Sequence, residues 1–302
     1  MSATVSLKVP AAQGQQDVTV SYARVGRGEP LVLIHGIGHH RQAWDPVVDI
    51  LATERDVIAV DLPGFGASPG LPAGLAYDLP TTNAVLATLF EALELDRPHV
   101  AGNSLGGLLA LELGREKHVR SVTALSPAGF WSQAERRYAF GVLIAMRGIA
   151  ERLPLPLVER LSRTAAGRTA LTSTIYARPA RRSPEAVVAE TLALAQATGF
   201  AETLRAGSAV QFTDDIPGIP VTVGWGTRDM LLVRSQGVRA KQIIPKARLV
   251  RLPGCGHCPM NDDPALVARV ILDGSRRASP EAGCGVGGPR PTAHSEPGSG
   301  SR

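Results

Sequence analysis

Aromatic side chains, cysteines, lysines and long apolar runs are all scarce in this chain of 302 residues. Aromatic residues make up 4% of it, so a core has to be built from Leu, Val, Ile and Ala. The three cysteines argue against a disulfide framework and favour a reducing, cytoplasmic location. No run approaches the roughly 18 apolar residues of a membrane span, and the N-terminus lacks a signal-peptide pattern, so no transmembrane segment is expected.

The positive charge gives no indication of a nucleic-acid partner. The chain has a formal net charge of +5, carried mostly by arginines that are spread along it. No basic run with interleaved aromatic residues and no known nucleic-acid motif is present. Nucleic acid is therefore not expected as a partner.

Buried strands alternate with amphipathic helices along most of the chain. The runs LVLIHG, DVIAV, HVAGNS, VTALS and VTVGWG are typical of central parallel strands, and helical patterns lie between them. One of these helices, in TTNAVLATLFEALEL, is expected to have Thr81 or Thr82 as its N-cap. This alternation predicts an α/β fold with a mostly parallel central sheet flanked by helices.

The alternation breaks at residues 131–200, where helix-like segments follow one another without a convincing strand. We therefore expect an α/β core formed by residues 1–130 and 201–273, with an inserted all-helical cap at 131–200. Residues 274–302 are rich in Gly, Pro and Ser and have little to bury, which predicts a disordered tail.

The predicted cap carries the excess positive charge of the chain. Residues 131–198 contain ten arginines and five glutamates, a difference of +5 that equals the net charge of the whole chain. Such a cap could attract anionic substrates or make weak peripheral contact with a membrane surface. A solvated basic outer face over an apolar pocket explains the same pattern.

A serine stands between two glycines where a predicted strand turns into a predicted helix. Gly102-Asn103-Ser104-Leu105-Gly106 matches G-x-S-x-G, and the glycines leave room for a sharp, strained turn that lifts the serine hydroxyl above the sheet edge. A serine hydroxyl needs a base to become a nucleophile. The motif therefore predicts Ser104 as a nucleophile and calls for a partner histidine.

The base and its acid are expected later in the chain, in the order Ser, Asp, His. His257 lies in a loop between the last predicted strand and the last helix, and Asp229 follows the strand VTVGWG. Asp229 would fix the tautomer of His257 and stabilise the imidazolium ion. Asp262 and Asp263, close to His257, are interpreted as caps of the last helix.

Two backbone N–H groups are expected to form an oxyanion hole. One is that of Leu105, directly after the nucleophile, and the other is that of Ile37 in the loop HGIGHH after the strand LVLIHG. His35 is expected to pack and hydrogen-bond beneath this loop.

The motifs LIHGIG, DLPGFGAS, GNSLGG, GWGTRD and GCGHCPMNDDP together resemble the α/β-hydrolase superfamily, in its capped, esterase-like branch, over about residues 5–273. The resemblance implies a triad of Ser104, Asp229 and His257, with Ile37 and Leu105 as oxyanion donors. It implies no metal and no organic cofactor. The cysteines of CGHC, Cys255 and Cys258, have C-x-x-C spacing, but no second pair accompanies them, so neither a redox pair nor a zinc site is expected.

A serine at this position predicts acyl transfer on a small or medium apolar carboxylic ester, thioester or lactone. GNSLGG also resembles carbon–carbon bond hydrolases of the meta-cleavage type, although these commonly have a tryptophan where this chain has Cys258. A small-molecule receptor or signalling protein of the same fold is a third reading. A monomer or homodimer is expected.

Overall fold

The computed structural model describes residues 2–12 and 14–277. Within them, eight strands form one sheet in the order β1-β2-β4-β3-β5-β6-β7-β8. The strands are β1 (Ser2–Ala11), β2 (Gly14–Gly26), β3 (Glu29–Ile34), β4 (Arg55–Val60), β5 (His99–Asn103), β6 (Ser121–Leu125), β7 (Val221–Gly226) and β8 (Arg248–Leu252). The pairs β1–β2 and β2–β4 are antiparallel, and the pairs from β4 through β3 to β8 are parallel. The expected mostly parallel sheet is confirmed.

Helices cover both faces of the sheet. They are α1 (Asp45–Ala52), α2 (Leu79–Ala92), α3 (Leu105–Arg115), α4 (Gln133–Arg152), α5 (Leu155–Ser162), α6 (Ala165–Thr172), α7 (Pro184–Gln196), α8 (Phe200–Gly207), α9 (Ser235–Ile243), α10 (Pro259–Asp262) and α11 (Pro264–Arg276). Among the described helices, we find no segment with the length and hydrophobicity that a membrane span requires.

The core consists of two apolar clusters, one on each face of the sheet. Val32 and Ile34 of β3 belong to the cluster that contains α2 and α3, whereas Leu31 and Leu33 belong to the cluster that contains α1 and α11. Successive side chains of a strand point to opposite faces, so a strand covered on both sides reads as a continuous apolar run. This explains why the sequence LVLI of β3 does not alternate between apolar and polar residues.

Five helices, α4 to α8, fill the connection between β6 and β7. The first begins with a capping box in which Ser132 and Glu135 satisfy each other's backbone N–H groups. The last of them, α8, begins at Phe200 and ends at Gly207, so the helices extend past residue 200.

Many of the arginines in this helical segment make hydrogen bonds to other groups of the protein. Six of the ten between residues 131 and 198 donate hydrogen bonds to carbonyl or carboxylate oxygens: Arg147, Arg152, Arg168, Arg178, Arg181 and Arg182. These guanidinium groups therefore tie the segment together as well as giving it charge, and contact with a membrane surface stays a prediction.

Two local expectations were wrong. Helix α2 begins at Leu79, with Asp78 as its N-cap accepting from the N–H of Thr81, rather than with Thr81 or Thr82 as the cap. Helix α11 continues to Arg276, because Gly274 and Ser275 are buried against the core. The predicted tail therefore cannot begin at residue 274, and the rest of it, at 278–302, lies outside the described residues.

Buried histidines predict a loss of stability in acid. Burial lowers the pKa of His40 and of His99 to about 4, so both stay neutral in the fold at pH values where the unfolded chain binds protons. This contribution to stability is complete above about pH 6.5 and is lost as the pH falls towards 4. We expect the urea concentration at the midpoint of unfolding to be lower at about pH 4.5 than at about pH 7.

A matched pair of variants tests this assignment. His99→Gln should reduce the drop in midpoint between the two pH values, whereas the same change at the exposed His118 should leave the drop unchanged. An equal drop in both variants would contradict the role given to His99.

Candidate active site

Ser104 lies at the turn between β5 and α3 in a strained backbone conformation, with φ 57° and ψ −116°. Such a conformation costs an L residue on the order of 1–3 kcal/mol and needs support from its surroundings. A Cβ atom on Gly102 would lie 2.0 Å from the carbonyl oxygen of Gly106, and one on Gly106 would lie 2.1 Å from that of Ile34. Both glycines of the motif are therefore required by the close approach of the helix to the sheet.

His257 and Asp229 are brought together from loops after β8 and β7. Their side chains are 97% and fully buried, and His257 Nδ1 lies 3.0 Å from Asp229 Oδ2. The other carboxylate oxygen of Asp229 accepts the N–H groups of Leu231 and Leu232 at 2.9 and 2.8 Å. Because Nδ1 donates its proton to Asp229, the Nε2 atom of His257 is free to accept a proton.

Ser104 and His257 line the same small cavity, of about 60 Å³. The N–H of Leu105 opens α3 and so has no partner within the helix, where the positive end of the helix dipole favours a negative charge. The N–H of Ile37 makes no hydrogen bond to any described residue, and Ile37 lines this cavity too. The small cavity is therefore lined by Ser104, His257 and Ile37, and Leu105 directly follows Ser104 at the start of α3.

His35 supports the loop that carries Ile37. Its Nδ1 lies 2.7 Å from the carbonyl oxygen of Gly36, and its Nε2 accepts the N–H of Leu62 at 3.0 Å. Burial lowers the pKa of His35 and keeps the ring neutral, as these two bonds require. Its expected packing role beneath the loop matches these contacts.

Asn103 joins the serine turn to the histidine loop. Its Nδ2 donates to the carbonyl oxygens of Leu125 and His257 at 3.0 and 2.9 Å, and its Oδ1 accepts from Cys258 Sγ at 3.3 Å. Burial raises the pKa of Cys258 well above its usual range and that of Cys255 to about 12. Both cysteines are therefore buried, unpaired thiols.

Asp262 has a different role from the helix cap expected of it. Asp263 caps α11 by accepting the N–H of Leu266, but the fully buried Asp262 accepts three other N–H groups, those of Ala177, Arg178 and Gly256. Gly256 directly precedes His257. The carboxylate therefore ties the helical segment between β6 and β7 to the histidine loop, a contact across more than eighty residues that no local pattern indicates.

A second and larger cavity also borders Ser104. It has a volume of about 220 Å³ and is lined mostly by apolar side chains, among them Leu62, Leu108, Trp131, Phe140 and Leu143. Ser104 and Leu105 line it, whereas His257 does not. None of the residues that the structure describes forms a group of three or more side chains suited to a metal ion.

Comparisons with known proteins agree on the fold. Residues 31–270 match the model of the alpha/beta hydrolase family. An uncharacterized protein of Mycobacterium tuberculosis is 28% identical over 260 residues, which are 82% of this chain and 75% of that protein. A 2-hydroxy-6-oxo-2,4-heptadienoate hydrolase of Pseudomonas putida is 44% identical over 90 residues, 29% of this chain and 32% of the hydrolase.

Solved structures resemble the whole described fold. A thermophilic esterase from Thermogutta terrifontis superposes with a TM-score of 0.72 at 21% identity, covering 91% of this chain and 99% of the esterase. At this level of identity, the likeness supports the architecture of sheet and helices and leaves the substrate open.

Proposed function

Since the chain belongs to the alpha/beta hydrolase family, we propose that it is a serine hydrolase acting on small or medium apolar carboxylic esters. The observation that carries the proposal is that Ser104 lines both an apolar cavity of about 220 Å³ and a small cavity that it shares with His257. The larger cavity suits an apolar acyl chain, because burying apolar surface drives binding.

The reaction runs through an acyl-enzyme. Ser104 Oγ attacks the ester carbonyl carbon while His257 Nε2 takes the hydroxyl proton, and the N–H groups of Ile37 and Leu105 stabilise the oxyanion. The bond from carbon to the leaving oxygen then breaks, and His257 gives its proton to the departing alcohol. A water molecule repeats the attack, with His257 as base, and releases the carboxylic acid and free Ser104.

A carbon–carbon bond hydrolase is the second candidate. The Pseudomonas putida relative named as a 2-hydroxy-6-oxo-2,4-heptadienoate hydrolase supports it over the 90 matched residues. The apolar lining of the larger cavity supports the ester reading more directly, because that cavity contains few polar side chains to hold a substrate with several oxygens. A small-molecule receptor would keep the same cavity and turn over slowly.

Hydrolysis of p-nitrophenyl esters tests the proposal. We expect turnover to rise from acetate to hexanoate or octanoate, as the acyl chain fills the apolar cavity, and to fall for longer chains that exceed it. The measurement is steady-state kcat/KM for each ester, together with labelling of Ser104 by a fluorophosphonate.

The outcomes separate the candidates. A protein that is labelled but hydrolyses none of the esters would contradict the ester proposal. Loss of absorbance of a vinylogous diketone would then support carbon–carbon cleavage, and a shift in unfolding temperature on ligand binding without turnover would support a receptor.

A further inference from the structure

The two cavities beside Ser104 divide an ester substrate into two halves. In ester hydrolysis the base returns its proton to the oxygen of the leaving alcohol, so the alcohol has to lie on the side of the base. His257 lines the small cavity of about 60 Å³ and does not line the larger apolar one. The acyl chain therefore belongs in the larger cavity and the alcohol in the small one.

The small cavity has a polar wall whose groups are almost all committed to other partners. Apart from Ser104 and His257, its polar side chains include His39, Asn103 and Glu190. His39 Nδ1 accepts the N–H of His40 at 3.1 Å, and its Nε2 lies 3.3 Å from the hydroxyl of Tyr176. Asn103 uses both Nδ2 protons, and its Oδ1 accepts from Cys258, in the bonds described above. Each polar atom of these two side chains therefore has a hydrogen-bond partner.

Glu190, on helix α7, is the exception. Its Oε1 accepts from the Tyr176 hydroxyl at 2.9 Å and from Arg182 Nε at 2.7 Å, with a further contact from Arg182 Nη2. Its Oε2 is buried and has no hydrogen-bond partner among the described residues. The residue is 93% buried, and a buried acceptor without a partner is a costly feature that calls for an explanation.

Burial raises the pKa of Glu190, whereas the Arg182 guanidinium that donates to Oε1 acts against that rise and favours the ionised carboxylate. Both side chains are 93% buried, and the guanidinium needs a counter-charge in this position. An ionised carboxylate presents only acceptor lone pairs, so Oε2 can bind a hydrogen-bond donor and nothing else. Glu190 lines the small cavity, which is the one assigned to the alcohol.

We propose that Glu190 Oε2 accepts a hydrogen bond from a second hydroxyl on the alcohol half, and that the substrates are monoesters of short diols or polyols with apolar acids. This inference rests on the proposed ester hydrolysis. It adds a polar subsite, formed by the helical segment between β6 and β7, that selects the alcohol, while the apolar cavity selects the acyl chain.

The test compares two esters that differ in one group, 2-hydroxyethyl hexanoate and propyl hexanoate. Their binding is measured by calorimetry on the Ser104→Ala protein, which holds the ligand without turning it over. We expect about tenfold tighter binding of the hydroxyethyl ester, since its hydroxyl gains a charge-assisted bond. Propyl hexanoate fills the same space without a donor.

A variant of the subsite and a matched control complete the design. Glu190→Met combined with Arg182→Met in the same background replaces the ion pair by apolar side chains and leaves no charge unpaired. It should abolish the preference for the hydroxyethyl ester. Glu185→Met, which changes an exposed glutamate on the same helix, should leave the preference intact.

Equal binding of the two esters to Ser104→Ala, binding of neither, or an unchanged preference in the double variant would overturn the subsite. Hydrolysis of both esters by the wild-type protein separates this from the proposed function. Turnover of both at equal kcat/KM, with equal binding, would remove the subsite and leave ester hydrolysis standing. A binding preference that depends on Glu190, without turnover of either ester, would support the subsite and contradict the proposed ester hydrolysis.

Discussion

Replacing Ser104 by alanine is expected to reduce kcat for ester hydrolysis by about 10⁴-fold or more, because the attacking oxygen is lost. Binding should persist, since the apolar cavity of about 220 Å³ is unchanged. Steady-state hydrolysis of p-nitrophenyl hexanoate measures the effect, and labelling by a fluorophosphonate should disappear with it. Retention of activity in this variant would remove Ser104 from the mechanism.

Ser126 provides a matched control for this change. It follows the neighbouring strand β6 as Ser104 follows β5, and its φ of 43° is also positive. Its hydroxyl is buried and has no partner among the described residues. Ser126→Ala should therefore keep near wild-type kcat/KM, and an equal loss in both variants would indicate damage to the sheet edge instead of loss of a nucleophile.

Replacing Asp262 by alanine is expected to lower the free energy of unfolding by about 3 kcal/mol or more. The change leaves the N–H groups of Ala177, Arg178 and Gly256 without their acceptor, and each buried unsatisfied group costs about 1–3 kcal/mol. Because Gly256 precedes His257, kcat should fall as well, through displacement of the base. Urea unfolding and steady-state hydrolysis measure the two effects.

The adjacent Asp263 is the control for this second change. It caps helix α11 through the N–H of Leu266 at 3.1 Å, and loss of such a cap costs about 1 kcal/mol. Asp263→Ala should thus destabilise the protein less and leave kcat near the wild-type value. A larger loss of stability at residue 263 than at 262 would contradict the role assigned to the buried carboxylate.

The pair also explains where sequence reasoning succeeds. Asp263 is recognised as a cap because capping depends on the residues that follow within one turn, such as Pro264 and Leu266. Asp262 has the same local pattern, but its partners Ala177 and Arg178 are more than eighty residues away. No residue close to Asp262 in the sequence shows that its carboxylate binds distant backbone N–H groups instead of capping a helix.

By itself, the sequence determined the features that depend on short stretches of chain. The runs of Val, Ile and Leu indicate strands covered on both faces, and the glycines at 102 and 106 indicate a turn too tight for any Cβ. The prediction of a parallel α/β sheet follows from the alternation of such stretches. The position of Ser104, Asp229 and His257 at one edge of the sheet, after β5, β7 and β8, follows from it too, because parallel strands end at the same edge.

Only the tertiary structure decided which distant groups meet. Glu190 faces the cavity of Ser104 and His257, His39 reaches Tyr176 across 137 positions, and Asp262 holds the histidine loop to the helical segment. The residues that line each cavity beside Ser104 are decided in the same way. These contacts depend on how the segment from α4 to α8 packs against the loops that follow the strands. The apolar period of a helix shows which of its faces is buried, but it does not show which element covers that face.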